Sequence, residues 1–123
     1  MRSILVLNSK GGSGKTTIAT NLASFYASIG KQVALVDLDS QESSISWLKA
    51  RSSAKPPIIG IKGHGIKVKR GVDYKIIDAP AGLQGAALTK VLNMAESVII
   101  PVLPSPIDMR AAGDFIKNIK KHS

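Results

Sequence analysis

Residues 7–17 read LNSKGGSGKTT, and the reading of the whole chain turns on them. The usual phosphate-cradling loop has the pattern G-x-x-x-x-G-K-[ST], a glycine-rich turn whose backbone N–H groups surround phosphate oxygens. Gly14, Lys15 and Thr16 fit the end of that pattern. The beginning departs from it. The first glycine would fall at position 9, which is Ser9, and the chain instead has Lys10 followed by the pair Gly11 and Gly12. The surroundings are those of a phosphate loop. SILVLN (3–8) is a short apolar run of the kind that forms a strand buried on both faces. TTIATNLASFYASIG (16–30) places Ile18, Leu22, Phe25 and Ile29 at helical spacing, with Gly30 to close the helix.

Outward from the loop, strands and helices alternate. QVALVDLD (32–39) reads as a second buried strand ending in two acids. SQESSISWLKAR (40–51) reads as a helix capped by Ser40, with Ile45 and Leu48 on one face. The stretch 52–71 is rich in Pro, Gly and Lys, and only Ile58, Ile59 and Ile61 suggest a short strand in it. DYKIIDAPAG (73–82) gives a strand ending at Asp78, LQGAALTKVLNMA (83–95) a helix, SVIIPVLPSP (97–106) a buried strand, and DMRAAGDFIKNIKK (108–121) a last helix. This alternation predicts right-handed βαβ units: an α/β fold of three layers, a mostly parallel sheet flanked by helices.

Composition narrows the partners. The 123 residues suit one domain spanning 1–123, and 44% apolar content is enough for a core. Seventeen Lys and Arg against eight Asp and Glu give a net charge of +9, which favours polyanions: nucleotide, nucleic acid or an anionic membrane. With no cysteine there is neither a disulfide nor a thiolate metal site. No apolar run approaches a membrane span, and MRSILVLNSK lacks the long apolar stretch of a signal peptide, so the expected location is the cytoplasm.

The loop and the acids together suggest phosphate chemistry. Backbone N–H groups from Gly11 through Ser13 to Thr17 can wrap a triphosphate tail, and side chains at positions 11, 12 and 14 would block that approach. Lys15 would neutralise phosphate charge and the Thr16 hydroxyl would ligate Mg²⁺. Phosphoryl transfer also needs a carboxylate near the cation. Asp78, Asp37 and Asp39 all stand where predicted strands end, the edge at which such sheets bind ligands. Asp37 and Asp39 share a direction only if the strand persists to 39.

KGGSGKTT resembles the deviant Walker A motif, K-G-G-x-G-K-T-[ST], of the ParA/MinD group of P-loop ATPases. VDLDSQ, IIDAPAG and SVIIPVLPSPIDMRAAGDF are similar, in order, to further segments of small ParA partition ATPases, so the resemblance spans nearly the whole chain. It implies a role for the displaced lysine. Lys10 would reach across an ATP-dependent homodimer to the phosphates held by the partner subunit, and stabilise charge in the transition state. It implies that Lys15 and Thr16 hold phosphate and Mg²⁺, that Asp39 positions the attacking water, that Asp78 supports Mg²⁺ through a water, and that Asp37 lies near the metal. It further implies slow, partner-stimulated ATP hydrolysis in plasmid or chromosome segregation, a ParB-like partner, non-specific DNA and association with the nucleoid. The alternative class is a nucleotide-binding module with weak turnover that regulates or pairs with a full-length relative.

Other residues weigh on branches of that group. The tail DFIKNIKKHS sets Phe115, Ile116 and Ile119 opposite Lys117, Lys120 and Lys121. A MinD-like membrane helix has this pattern, and so does a helix packed on a sheet, which is the preferred reading. Tyr26 and Tyr74 are scattered in sequence and, like Trp47 and Met109, are assigned to packing. The basic run Lys62, Lys67, Lys69 and Arg70 with His64 suits either DNA phosphates or a solvated loop. His64 and His122 are too distant and too few for a metal site. Small ParA proteins are longer than this chain, so the fold is expected to be incomplete at its C-terminus, with an open edge beside 97–102.

Overall fold

The computed structural model describes residues 1–7, 14–63, 67–102 and 104–122. Among these residues five strands and four helices follow in the order β1 (Arg2–Val6), α1 (Lys15–Ser28), β2 (Val33–Asp37), α2 (Ser43–Ala50), β3 (Ile59–Lys62), β4 (Tyr74–Asp78), α3 (Gly85–Leu92), β5 (Ser97–Ile99) and α4 (Pro106–His122). The strands form one parallel sheet ordered β3-β2-β4-β1-β5. The three middle strands, β2, β4 and β1, are the most buried, and every residue of the largely apolar β2 is buried. Parallel strands covered on both sides need that composition.

Alternation along the strands sorts the core into two layers. Leu5, Ala34, Val36, Ile61 and Ile77 point to one face, where Leu88 and Val91 of α3 and Phe115 of α4 cover them. Val6, Val33, Leu35 and Ile76 point to the other, against Ala19, Ala23 and Ala27 of α1 with Trp47 and Leu48 of α2. The three-layer α/β expectation therefore holds. Phe115 and Ile119 pack into the first core, the sheet-packed reading of the tail helix, while Ile116 stays 39% exposed. No helix among the described residues is long and apolar enough to cross a membrane.

The helices differ from the sequence reading in their details. On α1 the buried stripe is Ala19, Ala23 and Ala27, whereas Phe25 and Ile29 are 57% and 54% exposed. Small residues let the helix lie close to the sheet, and the large apolar ones are left on its flank. The helix does close at Gly30: the Gly30 N–H donates to Ala27 and that of Lys31 to Tyr26. α2 begins at Ser43, not Ser40, and the residue at its N-cap, Glu42, gives no side-chain cap. The cap comes instead from Asp37, whose Oδ2 accepts the Ile45 N–H at 3.0 Å. α2 lies close on β3 at Gly60, where a Cβ would meet Leu48 Cδ1 at 2.9 Å.

The segment 97–106 is corrected more sharply. Only Ser97–Ile99 forms a strand, it is the sheet's edge, and Val98 is 38% exposed. Pro101 has no N–H to donate to a ladder, so the strand stops before it. Met109 is 60% exposed and not a packing residue. Tyr26 and Tyr74 do pack, and on each other, with stacked rings 3.8 Å apart at 9°.

Candidate functional site

Strand parity and register build the site. Asp37 and Asp78 end β2 and β4, are direct register partners, and share the parity of Leu35 and Ile76. Both carboxylates therefore face α1 and α2. β2 ends at Asp37, so Asp39 lies beyond it in a loop. That loop is shaped by its own acids. Asp37 Oδ1 accepts the Asp39 N–H at 3.0 Å, and Asp39 Oδ1 accepts the Gln41 N–H at 3.0 Å. α1 starts opposite this edge. Gly14 leads into it with φ 83, in the left-handed region that glycine enters without strain. Its first turn carries no side-chain cap, so N–H groups there are available to an anion.

Asp78 is the centre. It is fully buried and takes donors from three side chains: the Lys15 ammonium on Oδ1, and on Oδ2 the hydroxyls of Thr16, at 3.2 Å, and Ser44. Lys15 is also 3.5 Å from Asp39 Oδ2. Burial raises the Asp37 carboxyl above its ordinary value of 3.8. The N–H groups of Ile45 and Asp39 hold that rise back, and the Asp78 and Asp39 charges add to it.

The structure thus brings Lys15, Thr16, Asp37, Asp39 and Asp78 to one edge. Thr17 is exposed on the same first turn. Lys10, Gly11, Gly12 and Ser13 lie outside the described residues, as does His64. Lys67, Lys69 and Arg70 are exposed, and Lys62 pairs with Glu42. Ser44 was not foreseen. It sits in the run SSIS, which matches no motif, and only the fold shows that its position on α2 meets Asp78.

The donor set fits Mg²⁺ bound together with phosphate. Thr16 and Asp78 offer hard oxygens side by side, while no group of three or more His, Cys, Asp or Glu among the described residues forms a cage of its own. Mg²⁺ is usually held in this way, by few protein oxygens plus phosphates and waters. Among the described residues, the carboxylates of Asp37, Asp39 and Asp78 gather around the ammonium of Lys15, an acidic set that a cation would complement.

Comparison with known proteins agrees. The family model for the CobQ/CobB/MinD/ParA nucleotide binding domain matches residues 4–123. The chain is 33% identical over 117 residues to Maintenance of carboxysome distribution protein A of Gloeobacter kilaueensis, covering 88% of this chain and 52% of that one. It is 52% identical over 52 residues to the chromosome-partitioning ATPase Soj of Thermus thermophilus, covering 42% and 21%. The solved structure of pNOB8 ParA bound to nonspecific DNA superposes with a TM-score of 0.74 at 19% identity, over 96% of this chain and 59% of that one. That likeness is one of fold. The chain spans about half the length of the carboxysome-distribution relative.

Proposed function

The chain belongs to the CobQ/CobB/MinD/ParA nucleotide-binding family, and from that premise we propose that it is a Mg·ATP-dependent partition ATPase of the ParA type. The observation that carries this reading is the meeting of Lys15 and Thr16, at the start of α1, with the buried carboxylate of Asp78. Mg·ATP supplies the cation and the phosphoryl group. Lys15, with the loop N–H groups of Gly11 to Thr17, holds phosphate charge. Thr16 and, through water, Asp78 hold the cation. Asp39, 21% exposed and with Oδ2 turned to Lys15, orients the attacking water. Asp37 acts near the metal by fixing the backbone of Asp39. Lys10 completes the site across an ATP-dependent homodimer, and the dimer binds DNA and answers to a ParB-like partner.

A second reading concerns the cargo. Two relatives that align with most of the chain, from Gloeobacter kilaueensis and Halothiobacillus neapolitanus, are carboxysome-distribution proteins. This favours positioning of a protein-bounded cargo by the same ATP cycle. A module that binds nucleotide without turnover remains the contrasting class.

ATP turnover and light scattering test the proposal, with DNA present and absent, on wild type, Lys10→Ala and Asp39→Ala. Slow hydrolysis lost in both variants is expected, with Mg·ATP-dependent dimers lost in Lys10→Ala. Wild-type and variant rates that coincide would leave the non-hydrolysing module as the reading.

A further inference from the structure

On the far side of α2 lies a trough of about 570 Å³, bounded by that helix, the segment 51–58 and the edge strand β3. Its floor is apolar, with Ile45, Leu48, Pro57 and Ile58. Its rim is cationic, with Lys49, Arg51 and Lys55, and neither Asp nor Glu lines it. Arg51 is held in place: Nε and Nη2 donate to the Pro56 carbonyl at 3.3 and 3.0 Å, and Nη1 to Ser24 Oγ at 3.3 Å. Its guanidinium also lies 5.3 Å from the centre of the Trp47 ring. Among the described residues neither Lys49 nor Lys55 has an acidic partner. A second hollow of about 310 Å³ shares Arg51 and Lys55 and extends the trough to Trp47.

We infer that this trough docks an extended acidic peptide segment of a partner protein, with an aliphatic side chain seated on its floor. Charge complementarity selects the sign: three cations stand with no acid among them, and Arg51 is pre-oriented, which lowers the entropic cost of pairing with a carboxylate. The floor favours peptide over nucleic acid: nucleic-acid bases are held by stacking on aromatic rings, and the lining of this trough is aliphatic, which suits a Leu-like side chain. The backbone supplies a further element. Among the described residues β3 pairs only with β2, so its outer edge offers N–H and C=O groups to an added strand. The inference does not depend on the phosphate site, since none of Lys15, Thr16, Asp37, Asp39 or Asp78 lines the trough.

Trp47, the one tryptophan of the chain, is a built-in reporter. The experiment titrates the protein at low salt, without nucleotide, with a short capped peptide of alternating Glu and Leu. An analogue with Gln for Glu and an oligothymidylate are run alongside. The expected result is a saturable shift of Trp47 emission with the Glu peptide only, weakened about tenfold or more by Lys49→Glu/Lys55→Glu. Both lysines are exposed, and circular dichroism verifies that the variant is folded. The neutral pair Lys49→Gln/Lys55→Gln is expected to weaken binding by less. No saturable shift, equal binding of the Gln analogue, equal binding by the folded charge-reversed protein, or a response to oligothymidylate alone would each overturn the inference.

Discussion

Asp37 and Asp78 end adjacent strands, sit opposite each other in register, and are both buried. Their partners differ completely. Asp78 is satisfied by side chains from α1 and α2, Asp37 by backbone N–H groups of the loop and of α2. Hydroxyl and ammonium donors can rotate away and leave an oxygen free for a cation or its water. Backbone donors cannot move without moving the helix. The same residue type at equivalent strand ends therefore serves exchangeable chemistry in one case and fixed scaffolding in the other.

The largest expected effect comes from breaking the side-chain set. Among the described residues, Lys15→Ala leaves the buried Asp78 with the Thr16 and Ser44 hydroxyls as partners, and removal of one partner of a buried ion pair costs about 3–5 kcal/mol. Urea unfolding near neutral pH measures it. A loss under about 1 kcal/mol would mean that Asp78 rehydrates easily, and the contrast with Asp37 would weaken.

Next is the backbone set. Asp37→Asn turns one acceptor oxygen into a donor facing an N–H, at an expected cost of about 1–3 kcal/mol. The pH dependence has a definite sign. Burial raises the native pKa of Asp37 above 3.8, so the folded state holds this proton more tightly than the unfolded chain does. Its contribution is fully present below 3.8 and is lost as pH rises through the raised native value. Asparagine does not titrate. The stability gap between wild type and Asp37→Asn is thus expected to be widest in acid and to narrow as pH rises through the raised native pKa. A gap that widens with pH would mean that the two N–H groups outweigh desolvation.

This contrast also marks what the sequence reveals. The apolar runs and the Gly-rich loop carried the element order, the parallel sheet and the positions of Lys15, Thr16 and Asp78, because each rests on local periodicity or fixed spacing. Failures came where packing, and not local pattern, chose the partner. Ser40 looked like a cap, but Asp37, at the end of the preceding strand, provides it. The helical spacing of Phe25 and Ile29 was real, yet close approach to the sheet favoured the alanine stripe. Ser44 had no local signal at all. Its expected weight is intermediate: Ser44→Ala removes one hydroxyl from a buried carboxylate that keeps Lys15, at about 1–2 kcal/mol in the same unfolding experiment. A neutral outcome would reduce the side-chain set around Asp78 to α1 alone.

The smallest expected effect tests whether Asp37 alone caps α2. Glu42 occupies the N-cap position in a left-handed conformation, φ 53 and ψ 34, and contributes no side-chain cap. An L-residue pays about 1–2 kcal/mol there, which glycine avoids. Glycine in turn loses more chain entropy on folding, about 0.4–1 kcal/mol. The carboxylate of Glu42 meets Lys62, but both are solvent-exposed, so the pair is screened and contributes little. Glu42→Gly is therefore expected to change stability by less than about 1 kcal/mol, in the stabilising direction, with an unchanged denaturant slope. If Asp37 holds the helix start, the Glu42 side chain is dispensable. A clear destabilisation by Glu42→Gly, not reproduced by Lys62→Ala, would show that the Glu42 side chain helps to hold that end, and the fixed scaffold would then belong to two carboxylates and not to one.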